Sequence, residues 1–564
     1  MTRDISERRR RWPAGLEWLL AAVALIPIAL FLVTSLSRLR YPFPLEQLEG
    51  PMLQAAERVA AGLPIYVRPN FHFIPYMYGP AYYYVSGWAL RWLGGGFFPL
   101  RLISLLSTCA SFALIYIFVL METGGGRFRR HLAAIVGAGM YAAAYPWTRE
   151  WFDLGRLDAF YVFLLLVALL CTRRLHPVIA AVAWTLTFLA KQTIFPVAVV
   201  MLCHDWKHPR RVVAGVASFV ALSAASSALL NHATQGWFGF YAFTVPHANA
   251  DLLLRPAVFY IPSQVLAPFG IALLAVAAAW VLGVFARPAR MAEPSEGETA
   301  GSSTESLLRQ DSARNGNPSF ETFGRGDHRF GPFYLLAGAS TFFLCWFLQA
   351  HGGASGNTAM PFYAVLAILF GISFAGIERT LVREKFPDAW RVLLLAAVAI
   401  PLLAWVYNPH DYLPHRDLRV GNQELVAWLH TFPGDVFLPS NPYAATLEGK
   451  PWHPDIAALH DALQPGWAGV RQPLLNTIRT AIDGEKFDAI AVDELPEQAL
   501  AAQTWLPADL RTHYPVVGWV PGAEATDPFT PHPIFFLLPC RELPLATAKG
   551  WKLLQPAGQT GCPR

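Results

Sequence analysis

The sequence predicts an α-helical polytopic membrane protein of about eleven transmembrane helices with a small C-terminal α/β soluble domain. Three observations lead there. Of 564 residues, 54% are hydrophobic and only 15% charged, against roughly 25% charged in soluble domains, and the mean hydropathy is positive. Long apolar runs recur along the chain. The loops between them alternate between basic and non-basic, as cytoplasmic and outer loops do.

The elements follow in order. Residues 1–15, MTRDISERRRRWPAG, form a basic cytoplasmic leader. No small-residue cleavage site follows, so the first helix is expected to be retained. Residues 16–36 span outward, which puts YPFPLEQLEGPMLQAAERVAAGLPIY (41–66) on the outer side. There AERVAAGLPIY reads as a helix closed by Gly62 and Pro64. GPAYYYVSGWALRWL (79–93) is too short to span and rich in Tyr and Trp, so it is expected to lie in the interface. With that assignment, 97–121 runs in to GGGRFRRH, 131–147 out, 158–172 in to CTRRLHP and 176–190 out. Residues 193–204 then return to HDWKHPRR, interrupted by Pro196. Broken helices of this kind survive only beside protein or a polar cavity.

The remaining crossings are 211–230, 258–285, 331–349, 361–377 and 390–407. Every basic loop except the one near Arg255 falls inside. Residues 16–286 thus form a first transmembrane module, with outer loops at 37–96 and 147–158, and 331–407 a second. Between them, 287–330 is rich in Ser, Gly, Glu and Arg and is expected to be a disordered cytoplasmic linker. Residues 408–564 read as the outer α/β domain: NQELVAWLHTF and VRQPLLNTIRTAI as helices, DVFLPS, FDAIAVDE and PIFFLLP as strands. Cys540 and Cys562 share its oxidising compartment and are placed to pair.

The polar groups that stand out gather on the outer side. They are Glu46, Glu49 and His72 from the first loop, then Glu150, Asp153, Arg156 and Asp158 from the second. Lys191 follows, then His247, Asp251 and Arg255, and finally His351 and Asn357. An ionisable residue at membrane depth is costly and therefore a functional candidate. Asp158 and Lys191 stand out because each abuts an apolar run. Glu46 and Glu49 are three apart and would share a face if the chain is helical there. They suit general-base work, or simply an acidic helix start. Together with Asp158 they offer hard oxygens to a divalent cation. No Walker loop, HExxH, GxSxG or dinucleotide fingerprint is present, and no CxxC among the six cysteines. A donor must therefore arrive already activated. A lipid-linked phosphate sugar meets that condition, with acids for an acceptor hydroxyl and cations for the leaving phosphate.

The outer acids, the AERVAAGLPIY helix, YGPAYYY, LGRLDAFYVFLLL, LAKQT and GGASGN occur in this order over roughly residues 10–410, ahead of a soluble tail. The arrangement resembles the GT-C superfamily of polyprenyl-phosphate-sugar glycosyltransferases, which includes protein O-mannosyltransferases and lipid A aminoarabinose transferases. The resemblance implies an inverting transfer on the outer face of a bacterial inner membrane, to a glycan, lipid or protein acceptor. It implies a first-loop acid as base: Glu49 within LEGPML, with Glu46 its rival. It further implies that Asp158 positions the acceptor or a metal, and that Lys191, Arg255 and Asn357 contact the donor phosphate. His72, Asp153, Arg156 and His247 are further candidates. A transporter or flippase of lipid-linked sugars is the alternative, and a non-catalytic scaffold a third. The absence of internal repeats and the outer position of the polar groups favour the enzyme.

Overall fold

The computed structural model describes residues 2–248, 253–286, 330–351, 354–464, 467–492, 499–500, 503, 505–519, 535–554 and 562. Helix α1 (Thr2–Arg38) enters the bundle, and α2 (Glu49–Ala60) and α3 (Ala81–Leu93) follow in the first outer loop. Next come α4 (Phe98–Glu122), α5 (Arg127–Ala143), α6 (Leu157–Arg174), α7 (Pro177–Ala190), α8 (Phe195–Leu202) and α9 (Pro209–Ala233). The last membrane helices are α10 (Leu254–Val281), α11 (Phe330–Gln349), α12 (Met360–Arg383) and α13 (Asp388–Ala404).

Among the described residues six helices are long and apolar enough to cross a membrane: Gly15–Arg38, Phe98–Glu122, Pro209–Ala233, Leu254–Val281, Gly331–Gln349 and Gly356–Arg383. The other crossings expected from hydropathy fall on α5, α6, α7, α8 and α13, which are shorter or bent. These need no long lipid-facing stretch where neighbouring helices cover them. Much of α5 and α6 is buried, and so is nearly all of α12, which packs on α4, α5, α10 and α11. Helix α3 has 13 residues, roughly 20 Å, against a hydrocarbon core of about 30 Å. Tyr84, Trp88 and Trp92 on it are exposed. Its partner α2 packs so closely that a Cβ at Gly87 would lie 2.6 Å from the Val59 side chain.

The tail carries a five-stranded mixed sheet in the order β1-β2-β4-β3-β5. The strands are β1 (Asp435–Phe437), β2 (Phe487–Val492), β3 (Val516–Trp519), β4 (Phe535–Leu538) and β5 (Lys552–Leu553). Only β1 and β2 pair in parallel. Their crossover carries α14 (Ile456–Ala462) and α15 (Ala468–Asp483). Cys540 and Cys562 are joined in a disulfide. The expected linker at 287–330 lies outside the described residues, apart from Phe330.

The tail is seated on the first outer loop. Phe71 inserts among Phe437, His453 and Phe487, with ring centroids 4.9, 4.8 and 5.7 Å away. Phe97 meets Tyr443 at 4.6 Å. One hydrophobic cluster therefore runs from the helical bundle into the sheet.

A reporter fused after Gly94 tests the placement of α3. An alkaline phosphatase fusion there is expected to be active and a cytoplasmic-type reporter inactive. The reverse pattern would show that α3 crosses and would invert the assignment of every later loop.

Candidate functional site

The two acids of the first loop part company at the start of α2. Glu49 is its first residue, whereas Glu46 sits in the preceding turn, its carbonyl accepting from the Glu49 amide at 3.0 Å. The shared helical face expected from their spacing is therefore absent. Glu49 turns inward and is fully buried. Its Oε1 accepts from Arg101 Nε at 3.0 Å and the Gly155 amide at 2.5 Å. Its Oε2 accepts from Arg101 Nη2 at 2.6 Å and the Leu45 amide at 2.7 Å. Gly155 is needed there, since a Cβ would lie 3.1 Å from the Leu100 Cβ and 3.2 Å from this carboxylate. Burial works to raise the Glu49 pKa, but the Arg101 guanidinium and the two amides outweigh it and hold the carboxyl below its ordinary range.

Glu46 is built differently. Its Oε2 accepts from Arg156 Nη1 at 2.9 Å and the Leu48 amide at 3.0 Å. Among the described residues its Oε1 takes no hydrogen bond. Burial pushes this carboxyl above its ordinary range against the opposing pull of Arg156, with the nearby Glu49 charge adding to the rise.

From Arg156 a chain of charges continues to the ends of α6 and α7. The guanidinium lies over the Trp151 ring at 4.0 Å, and its Nη2 reaches the Tyr78 hydroxyl at 3.4 Å. Arg156 Nε and Asp158 Oδ2 stand 3.7 Å apart, an ion pair too long for a hydrogen bond. Asp158, in the first turn of α6, accepts on Oδ1 from Lys191 Nζ and Asn357 Nδ2, both at 3.0 Å. Lys191 ends α7 with an extended backbone. Its ammonium faces Tyr161 at 5.5 Å and Tyr78 at 5.9 Å. Tyr78 can come this close because residue 79 is glycine: a Cβ there would lie 2.1 Å from the Leu189 carbonyl oxygen. Arg156 Nε, Asp158 Oδ2, Gln192 Oε1 and Thr193 Oγ1 are buried without hydrogen-bond partners. Buried polar atoms are rarely left so, and among the described residues these four belong to 156–158 at the start of α6 and 192–193 just past the end of α7.

Glu46, Arg156, Asp158, Lys191 and Asn357 are thus brought together, and other candidates are not. Asp153 binds Arg38 at the end of α1, accepting at 2.8 and 2.5 Å, and Glu150 pairs with the same guanidinium. His72 Nδ1 lies 3.3 Å from the Trp452 carbonyl, in the seam with the tail. Arg255 and His247 are exposed, and Arg255 lies over Phe259 at 5.9 Å. His351 meets Phe347 edge to face, ring centroids 4.7 Å apart. Asp251 is outside the described residues. The three acids proposed to hold a cation do not converge: Glu49 is tied to Arg101, while Glu46 and Asp158 are held apart by Arg156, with Lys191 on the far oxygen of Asp158. Among the described residues the only group of ligands close enough for an ion is Asp483, Asp509 and His513 on the tail surface. There Arg479 already pairs with both aspartates.

Sequence reasoning passed over Arg101, Arg38, Tyr78 and Asp455. Arg101 carried a signal, a charge inside the apolar run FPLRLISLL. Asp455 carried none beyond a helix cap, which it is: its Oδ1 accepts from the Ala457 amide at 2.8 Å. The same oxygen accepts from the Tyr76 hydroxyl at 2.7 Å, fastening the tail to the aromatic segment two residues before Tyr78. Burial pushes the Asp455 carboxyl up to about 7, with the Glu46 charge adding to it, against the Tyr76 hydroxyl and the Ala457 and Ala458 amides.

Residues 76–307 match the model of Glycosyltransferase family 87, a stretch that holds Tyr78, Arg156, Asp158 and Lys191. No curated protein matches the chain in sequence. Among solved structures, ArnT from Cupriavidus metallidurans bound to undecaprenyl phosphate is similar with a TM-score of 0.52 at 13% identity, over 90% of this chain and 97% of that one. The apo state of the same protein gives 0.50 at 14% identity with the same coverage. The chain is a multi-pass membrane protein with the GT-C fold, and the resemblance to the GT-C glycosyltransferases is supported by both findings.

The Asp455 carboxyl gives a pH-dependent signature. Between its ordinary value of 3.8 and about 7 the folded chain holds a proton that the unfolded chain releases. Its contribution therefore falls as pH rises through that window, by about 1.4 kcal/mol per pH unit. The apparent melting temperature should decline from pH 5 to 7 and level off above, and Asp455→Asn should flatten the decline. An unchanged slope would show that Asp455 is not held neutral by the fold.

Proposed function

We propose that the chain transfers a sugar from a polyprenyl-phosphate carrier to an acceptor at the outer end of the bundle, with Glu46 as general base. One observation carries the choice of base. Both oxygens of Glu49 are filled by donors, whereas Glu46 keeps Oε1 unengaged and has a raised pKa. A base must offer a lone pair and want a proton. Glu49 is suited instead to holding the loop in place.

In this reading the phosphate of the donor lies against Lys191 and Arg156, which between them keep several N–H donors after serving Asp158 and Glu46. Asp158 orients the ammonium, and Asn357 fixes Asp158 by donating to the same oxygen. The acceptor hydroxyl gives its proton to Glu46 Oε1 as its oxygen bonds to the anomeric carbon. The bond from that carbon to the phosphate oxygen breaks, and its electron pair leaves on the lipid phosphate. Attack opposite the leaving group inverts the anomeric configuration. The match to a glycosyltransferase family and the GT-C fold support the reaction class. ArnT bound to undecaprenyl phosphate supports the donor class.

The test is release of free lipid phosphate from a radiolabelled polyprenyl-phosphate sugar by purified protein with an acceptor. Glu46→Gln is expected to lower turnover by about 10²–10⁴-fold while the protein stays folded. Glu49→Gln should act mainly by lowering the melting temperature. The acid limb of the kcat/KM profile should lie above the ordinary glutamate range, since Glu46 works as the carboxylate. Full turnover in Glu46→Gln with loss in a folded Glu49→Gln would return the role to Glu49. Movement of the intact sugar lipid across vesicles would favour the transporter.

A further inference from the structure

A second built-up polar region lies at the opposite end of the bundle, where the positive-inside pattern puts the inner leaflet. There α1 at Glu17 and the ends of α5, α12 and α13 line a partly open cavity of about 190 Å³, room for a group several times larger than a water. Its polar lining is Glu17, Glu378, Arg129, Arg379 and Arg391, with the glycine turn 124–126 at the start of α5. Arg391 donates to Glu17 Oε1 at 2.9 Å and Glu378 Oε1 at 3.2 Å. Arg129 approaches the same two atoms, at 3.3 Å each. Both carboxylates are thus bound through one oxygen, and among the described residues neither Oε2 takes a hydrogen bond. Among the described residues Arg391 Nε is buried without a hydrogen-bond partner, and the Arg129 side chain remains 41% exposed.

This lining suits a ligand of both signs. A purely anionic group would face two carboxylates, and a purely cationic one three guanidiniums. A phosphodiester can take N–H donors from Arg129 and Arg391, and a primary ammonium can donate to the Oε2 atoms of Glu17 and Glu378. The rest of the wall is apolar, with Leu132, Phe374, Val382 and Leu395. Trp18, beside Glu17, and Trp390, beside Arg391, are both exposed, as tryptophans at headgroup depth are. We propose that the cavity is a headgroup site for a phospholipid that bears a phosphodiester and a primary ammonium. The site lies apart from the outer-end cluster and does not depend on its chemistry.

The experiment is native mass spectrometry of the delipidated full chain with phosphatidylethanolamine, phosphatidylcholine and phosphatidylglycerol of identical acyl chains. The ethanolamine lipid is expected to bind about tenfold more tightly than either of the others, the value of one charge-assisted hydrogen bond. Phosphatidylcholine lacks N–H donors, and phosphatidylglycerol lacks the ammonium. Glu378→Gln should reduce this preference at some cost in stability, and Arg129→Gln, at the half-exposed rim, should weaken binding of all three lipids with little change in melting temperature. Equal binding of the three lipids, a preference unmoved by Glu378→Gln, or affinities unmoved by Arg129→Gln would overturn the site and leave the charges as a helix clasp only. Stabilisation by soluble glycerophosphoethanolamine equal to that by the lipid would overturn the lipid assignment in favour of a soluble ligand.

Discussion

The end of the molecule that carries the sheet domain depends on the buried pair between Glu49 and Arg101. Two charges are withdrawn from water there, and the arrangement holds because every oxygen of the carboxylate has a donor. Arg101 spends its remaining donors on the carbonyls of Tyr41 and Phe43, at 2.6 and 2.7 Å. One ion pair therefore ties the chain leaving α1, the start of α2, the first turn of α4 and the second outer loop at Gly155. Breaking such a pair by removing one partner costs about 3–5 kcal/mol. The adjacent Arg38, with Asp153 and Glu150, repeats the device between α1 and the second loop. With the loops clasped on both sides, Glu46 and Arg156 are left one turn away from the clasp and short of partners.

That division of labour explains why the polar groups at this end are not equivalent, although their residue types are. A carboxylate saturated with donors is a structural member, while one with an open oxygen in a desolvated place can exchange a proton. The same distinction separates Asp153, used by Arg38, from Asp158, whose second oxygen is unpartnered beside two cations. The tail adds to this environment from above. Tyr76 is held by Asp455, and two residues on Tyr78 stands between Arg156 and Lys191, so seating of the sheet domain and shape of the site are mechanically continuous.

Much of this was legible in the sequence, for identifiable reasons. Period and length located α4, α9 and α12, because lipid demands apolar runs. Charge parity placed Glu46, Asp158, Lys191 and Asn357 at one end, and the folded chain joins these by a continuous run of polar contacts through Arg156. Pairing was not legible. Whether Glu46 or Glu49 meets Arg101 depends on where α2 starts, and a three-residue spacing reads as one face only if the helix already includes both. Arg255 and His247 shared the same composition signal but ended exposed, since a position near a membrane end does not say which way a side chain faces. Arg101 was visible as a lone charge in an apolar run, yet its role came only from a partner fifty residues earlier. Asp455 looked like an ordinary helix cap because it is one, and its second task exists only in the docked structure.

The central claim is that Lys191 and Arg156, oriented by Asp158, Asn357 and Glu46, form a seat for a lipid phosphate. Direct binding of undecaprenyl phosphate to the purified chain, with no sugar and no acceptor, tests it without requiring turnover. Lys191→Met is expected to weaken binding by about tenfold or more, whereas Arg255→Met leaves it unchanged. Equal affinity in wild type and a folded Lys191→Met protein would contradict the account.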